Sequence, residues 1–439
     1  MKCFTKRRLL IALSAANLMS VSSYALASSF QLWEQDAASI GLYHAGYAAW
    51  ANDASTAFYN PAGMTLIKDQ QLVVAGVGVM TDFKFNGNVI VNTIDPDLSI
   101  PTSSQGGNFS FIPAIHYVAP LSDRVVFGFS VDVPFGLKTN YGAGTALRYV
   151  ATLTSANVID ISPSFAIQLT PRGSVGVGFD IQRMFAEFDQ YGTLDGLLNA
   201  TGTNKINDTA YGYHLGWLYQ FTPTTRVGIS YHSQVVHHLS GNSKFVGDLA
   251  DFLNDGNPII ANYSTIKMTL PAYTAVSFYH LACPRLAVMG TIVYTQWNVL
   301  RQLVFNDFAG AVFPGPTPST TIQVVSPQYY RNTWNFSLGA NYFATDKISL
   351  RFGVGYDETP ISNTYRNVLL PDNNRYVIAL GGHYQATKAI GLDLGWSHFF
   401  MQKAHVNPPP LALGAQVVST PGHVTGGADV LGAQVTWNM

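Results

Sequence analysis

Charge is scarce in this sequence. Only 11% of its 439 residues are Asp, Glu, Lys or Arg, against about 25% in soluble domains. A soluble chain so poor in charge would struggle to cover its surface, whereas a wall set in lipid has no such need. Beyond Ala27 no apolar run approaches the ~18 residues that a membrane-spanning helix needs. Cysteine is nearly absent: Cys3 and Cys283 are the only two, too few for a disulfide scaffold. There is no basic excess either. Lys2, Lys6, Arg7 and Arg8 all lie in the first few residues, and without them the chain is acidic, which argues against a nucleic-acid partner.

The residues present complete this picture. The four basic residues precede an apolar stretch, Leu9 to Met19, and Ala25-Leu26-Ala27 has small-x-small form. That order predicts a signal peptide over 1–27 and a mature, exported chain beginning at Ser28. Cys283 would then be the one cysteine left, a packing residue. Aromatics are abundant at 13%. An exported, apolar, charge-poor chain without a spanning helix is either a secreted β protein or a transmembrane barrel.

Strict alternation favours the barrel. Tyr211, Tyr213, Leu215, Trp217 and Tyr219 alternate with Gly212, His214 and Gly216. Trp334, Phe336, Leu338, Ala340 and Tyr342 are separated by small or polar residues, as are Ile348, Leu350, Phe352, Val354 and Tyr356. This period of two suits a wall between lipid and a filled interior. About fourteen such segments occur, an even number as bacterial barrels require, from 70–86 through 209–221, 225–240, 265–281, 285–300 and 328–343 to 427–439. Short links such as Pro171-Arg172 and Cys283-Pro284 alternate with long ones, 87–107, 135–147, 191–208, 241–264, 301–327, 359–374 and 402–426. Short periplasmic turns and long extracellular loops produce that pattern. The expected fold class is an all-β, 14-stranded antiparallel outer-membrane barrel over 70–439. Residues 28–69, small-residue-rich and compact, are expected to form a plug inside it.

No Cys-x-x-Cys, His-Glu-x-x-His or Gly-x-Ser-x-Gly occurs, so no enzyme, cofactor or metal site is expected. The eleven histidines lack ligand spacing; adjacent His237 and His238 would point to opposite faces of a strand. In the loop 241–264, Phe245, Leu249, Phe252 and Leu253 recur at helical spacing, an expected ligand groove with Leu194, Leu197 and Leu198 as its facing wall. Strand parity turns Arg226 and Arg351 toward the lumen, where either can meet a carboxylate; Arg351 can instead pair with Asp357 or Asp393.

Several separated motifs, in order, resemble the outer-membrane long-chain fatty acid transporter family, FadL/TodX. They are Gly41 to Gly63 ending in Asn60-Pro61-Ala62, then Pro134-Phe135-Gly136-Leu137 with Tyr141, Leu270-Pro271 and Tyr294-Thr295-Gln296-Trp297. Arg351-Phe352-Gly353 to Tyr356-Asp357-Glu358-Thr359-Pro360 follows, with Leu370-Pro371-Asp372 and Arg375. The resemblance implies a hatch-plugged monomeric barrel set among outer-membrane lipid and lipopolysaccharide. It implies passive uptake of long-chain fatty acids or aromatic hydrocarbons, hatch movement at Asn60-Pro61-Ala62, and a lateral exit where Pro134 and Gly136 end the third strand. A porin for other solutes, or a barrel phospholipase, are the alternatives.

Overall fold

A computed structural model describes residues 29–92, 98–194, 196–310, 320–413 and 416–439. The expected signal peptide lies outside the described residues, as does 311–319 of the expected loop 301–327.

Among the described residues, strand segments form one sheet that closes on itself as 14 antiparallel wall strands. They are β1 (Gln71–Asn92), β2 (Phe109–Pro120), β3 (Val125–Asn140), β4 (Leu153–Thr170), β5 (Gly173–Leu194) and β6 (Leu198–Thr222). Four broken strands come next: β7 (Thr225–His232, Val235–Val246), β8 (Ile259–Leu270, Tyr273–Cys283), β9 (Leu286–Thr295, Gln302–Ala309) and β10 (Thr321–Pro327, Thr333–Phe343). The last are β11 (Ile348–Asp357), β12 (Arg375–Gln385), β13 (Ile390–Met401) and β14 (Gly422–Asn438). β1 closes the cylinder against β14, from Gln71↔Asn438 to Gly87↔Gly422. No edge is left there for another chain to extend.

The alternating residues face as the period of two requires. Tyr211 is 62% exposed and Leu338 60%, while inward Asn341, Arg351 and Gln434 are buried. No described helix is long and apolar enough to cross a membrane.

Two expectations about the strands need correction. Segments 191–208 and 241–264, read as loops, are largely strand: β5 and β6 pair as far as Leu194↔Leu198, and β6 continues against β7 up to Thr201↔Val246. There the outward face turns polar, through Thr203, Lys205, Asn242 and Lys244, so the apolar outer stripe stops while the hydrogen-bond ladder continues. Conversely, β7 and β8, read as the single strands 225–240 and 265–281, each break partway, and 301–327, read as a loop, carries in its described part the outer segments of β9 and β10. In β8 the break falls at Pro271, which has no N–H to give a ladder. In β9 a short 3₁₀ turn, Trp297–Val299, interrupts it.

Residues 29–69 lie against the inner wall and are almost wholly buried. They form α1 (Ala37–Ile40), α2 (Tyr47–Trp50), α3 (Thr56–Tyr59) and a 3₁₀ helix, Pro61–Leu66. These helices are too short to stand alone in water; wall contacts hold them. Inward strand glycines make room. A Cβ on Gly228 would collide with the Ala48 carbonyl oxygen, and one on Gly353 with the Leu42 main chain. Gly228→Val is expected to unseat this segment, costing about 1–3 kcal/mol as overpacking does. Single-channel conductance should rise while the barrel keeps its heat-modifiable gel mobility.

Candidate functional site

At the long-loop end, inward side chains become apolar and enclose a cavity of about 750 Å³. Phe188, Met268, Leu300, Phe305 and Tyr330 line it from the wall, and Phe30 from the N-terminal segment. None of the described lining residues is charged; the polar ones are Thr, Ser, Asn, Gln and Tyr. Most of their polar groups are already engaged. Gln416 accepts from Thr193 N and donates to Tyr149 O, and Asn204 donates to Phe188 O and accepts from Ser243 Oγ. A guest is therefore met chiefly by hydrocarbon.

The expected loop groove is largely part of this cavity, by a different local structure. Leu194, Phe245, Leu249, Phe252 and Leu253 all line it. However, α4 (Asp248–Leu253) starts after Phe245, which sits on β7. The stripe is thus a strand residue beside a six-residue helix. Leu198 packs against the same cluster from behind. Leu197 does not join it: at 83% exposed it sits on the hairpin tip joining β5 to β6, where nothing packs over it.

A gap in the wall lies nearby. β2 and β3 pair only between Ile115↔Val131 and Pro120↔Val126. Beyond them β3 bulges against β4 between Asp132 and Phe135, around Pro134. The freed edge of β3 is taken up by the N-terminal segment. Leu32 N donates to Pro134 O and Gly136 N to Phe30 O, both at 2.9 Å, while the Gln35 amide bridges Val133 N and O. A second cavity of about 150 Å³ lies here. Leu137 and Leu370 line both cavities, so the apolar chamber and the smaller cavity at the gap are neighbours.

Asn60-Pro61-Ala62 is a joint between segment and wall. Asn60 Oδ1 accepts from Ala62 N, capping the 3₁₀ helix with Pro61 in its first turn. Its Nδ2 donates to Ala48 O at 2.5 Å and to Trp217 O, on β6, at 3.1 Å. Ser174 Oγ, on β5, donates to Ala62 O.

The two arginines expected to meet a carboxylate do not reach the cavity. Arg226 donates to the carbonyls of Ala49 and Trp50 and lies over the Tyr279 ring. Arg351 pairs with Asp393 at 2.5 Å, donates to Ala38 O and lies over Trp50. Parity placed both inward correctly. Sequence does not show height along the lumen, and both lie where the segment's carbonyls claim them.

Asp36 caps α1, accepting from Ser39 N and Ser55 Oγ, each at 2.8 Å. Burial, then repulsion from Asp53, raises its carboxyl from 3.8 to about 7. The folded segment holds a proton that the unfolded chain releases above 3.8. The stability this contributes is complete below 3.8 and is lost as pH rises through about 7. Thermal melts between about pH 5 and about pH 8 should show stability falling as pH rises, and Asp36→Asn should flatten the trend.

A closed barrel filled by its own N-terminus, with an oily chamber beside a gap in its wall, defines an outer-membrane transport barrel rather than an open sieve. The chain belongs to the family described as outer membrane protein transport protein (OMPP1/FadL/TodX), whose model it matches over residues 18–439. It is 27% identical over 431 residues to outer membrane protein P1 of Haemophilus influenzae, covering 90% of each chain. It is 25% identical over 433 residues to the long-chain fatty acid transport protein of Salmonella typhi, covering 93% of this chain and 94% of that one. In fold it is similar to a Pseudomonas aeruginosa FadL homologue (TM-score 0.82, 24% identity, 94% and 100% coverage). It is also similar to the Ralstonia pickettii toluene transporter TbuX (TM-score 0.65, 17% identity, 93% and 100% coverage). It is an outer-membrane protein.

Proposed function

We propose that this protein takes up hydrophobic molecules passively, long-chain fatty acids foremost, through the apolar cavity and the gap beside Pro134 and Gly136. Residues 28–69 act as the hatch, and displacement of its strap at Phe30–Gln35 opens the way out. The protein works as a single barrel, without catalysis. The observation that carries this reading is the uncharged cavity that shares its Leu137 and Leu370 wall with the smaller cavity beside the gap. Burial of an acyl chain is worth ~0.8 kcal/mol per CH₂, so affinity needs no charged partner. Several curated relatives are named long-chain fatty acid transport proteins, which supports the acyl substrate. The missing charge in the lining supports a second reading, neutral aromatic hydrocarbons, for which TbuX is named.

The test is mass spectrometry of small molecules co-purifying with gently extracted protein, followed by displacement of a fluorescent fatty acid by oleate or by toluene. Recovered acyl chains displaced by oleate support fatty acids; displacement by toluene alone selects hydrocarbons. Absence of any apolar ligand, together with free sugar flux into liposomes, would replace both with a porin.

A further inference from the structure

Three residues far apart in the sequence meet on the inner wall below the cavity. Gly178 on β5 is the register partner of His214 on β6, and His214 of His232 on β7. Asp180 stands two residues along from Gly178, on the same face. All three side chains are buried. One carboxylate oxygen of Asp180 and one nitrogen of each imidazole lie within 4.8 Å of one another. Gly178 keeps the space open, since a Cβ there would run into the His214 ring.

The far side of the His214 ring is already fixed: its Nε2 donates to Ala57 O at 3.2 Å. The His232 ring packs against Phe58, ring centroids 5.0 Å apart. Ala57 and Phe58 are consecutive residues of α3. In metal centres a histidine's second nitrogen is held in this way by a carbonyl, which sets its tautomer and aims the free lone pair. With Nε2–H given to Ala57, a neutral His214 turns an acceptor, Nδ1, onto the acceptor Oδ1 of Asp180 only 2.6 Å away. A proton must sit between them, and a metal ion can take its place only if the two groups move apart, since two atoms sharing one ion at the tetrahedral angle with bonds of ~2.0–2.2 Å stand farther apart than this.

We propose that Asp180, His214 and His232 bind one divalent transition-metal ion of the Zn²⁺ class, with water as the fourth ligand. Two imidazoles and a carboxylate are a donor set such ions take, with bonds of ~2.0–2.2 Å. The ion replaces the Nδ1 proton of His214, which leaves to solvent; nothing is oxidised or reduced. His232 is stacked between His214 and Tyr273, ring centroids 5.0 and 4.5 Å away, and would turn out of that stack to ligate. Through Ala57 the ion would fasten α3, which ends next to Asn60, to β5, β6 and β7.

The test uses the mature protein purified without a histidine tag, stripped with chelator and offered Zn²⁺ or Co²⁺. Elemental analysis should find about one ion per barrel. Co²⁺ should show the intense visible absorption of a tetrahedral centre, and an unbuffered titration should release a proton. His232→Phe, which keeps the stack on Tyr273, and Asp180→Asn should each lose more than the ~10–100-fold affinity that removal of an outer-shell partner costs. Heat-modifiable gel mobility establishes that these variants are folded. Wild-type protein binding no more metal than His232→Phe would overturn the proposal and leave a proton in the Asp180–His214 bond.

Discussion

Met268→Asp is expected to abolish high-affinity binding of an apolar ligand, by on the order of 100-fold or more, about 2.7 kcal/mol. Met268 on β8 is buried and lines the main cavity. No described lining residue offers a positive charge to pair with a new carboxylate. An unpaired carboxylate in such surroundings either carries its water with it, displacing the ligand, or takes up a proton. The loss should therefore be greatest at alkaline pH and partly recover on acidification, as the carboxyl becomes neutral. Met268→Gln keeps the volume and should cost less at every pH. Titration with a fluorescent fatty acid across pH checks this; an equal loss in both variants, independent of pH, would mean that shape rather than dryness controls binding.

Arg351→Met is expected to have the largest effect on stability. Arg351 and Asp393 are both almost fully buried, and Arg351 also reaches Ala38 O in α1. Removing one partner of such a pair leaves a charge without compensation and costs about 3–5 kcal/mol. His383 Nδ1 lies 3.0 Å from Asp393, so part of the charge keeps a partner and the loss should fall at the lower end. Adding Asp393→Leu removes the stranded carboxylate, and the double variant should be more stable than the single one. Thermal melts supply the energies. Conductance reports on the N-terminal segment, which should loosen in the single variant as Ala38 O loses its donor. A double variant no more stable than Arg351→Met would show that the guanidinium acts through packing on Trp50 instead.

Much of the protein is legible in residue order, for a local reason. A wall between lipid and lumen imposes its period of two on every strand, so Tyr211 to Tyr219 and Ile348 to Tyr356 announce their faces without any partner in view. Tight turns need Pro, Gly and polar residues locally, so turn positions can be read as well. Asn60-Pro61-Ala62 is legible because a cap and a fixed φ are properties of neighbours in sequence.

The site is less local. Phe245 and Leu249 are four apart, as on a helix, yet one is on a strand and the other in α4; spacing alone does not reveal where a ladder ends. Arg226 and Arg351 were oriented correctly by parity but not in height, because height depends on which carbonyls of the N-terminal segment come within reach. The gap at Pro134 was signalled by proline, but its occupant, Phe30 to Gln35, was not.

Residue order by itself thus determined the closed β wall, its two faces and the existence of an apolar filling, since each follows from bilayer solvation acting residue by residue. Only the tertiary structure decided where the cavity lies, what seals the gap and which buried groups meet. Asp180, His214 and His232 are neighbours solely because strands β5, β6 and β7 run side by side in register, and register belongs to the closed sheet rather than to any one segment.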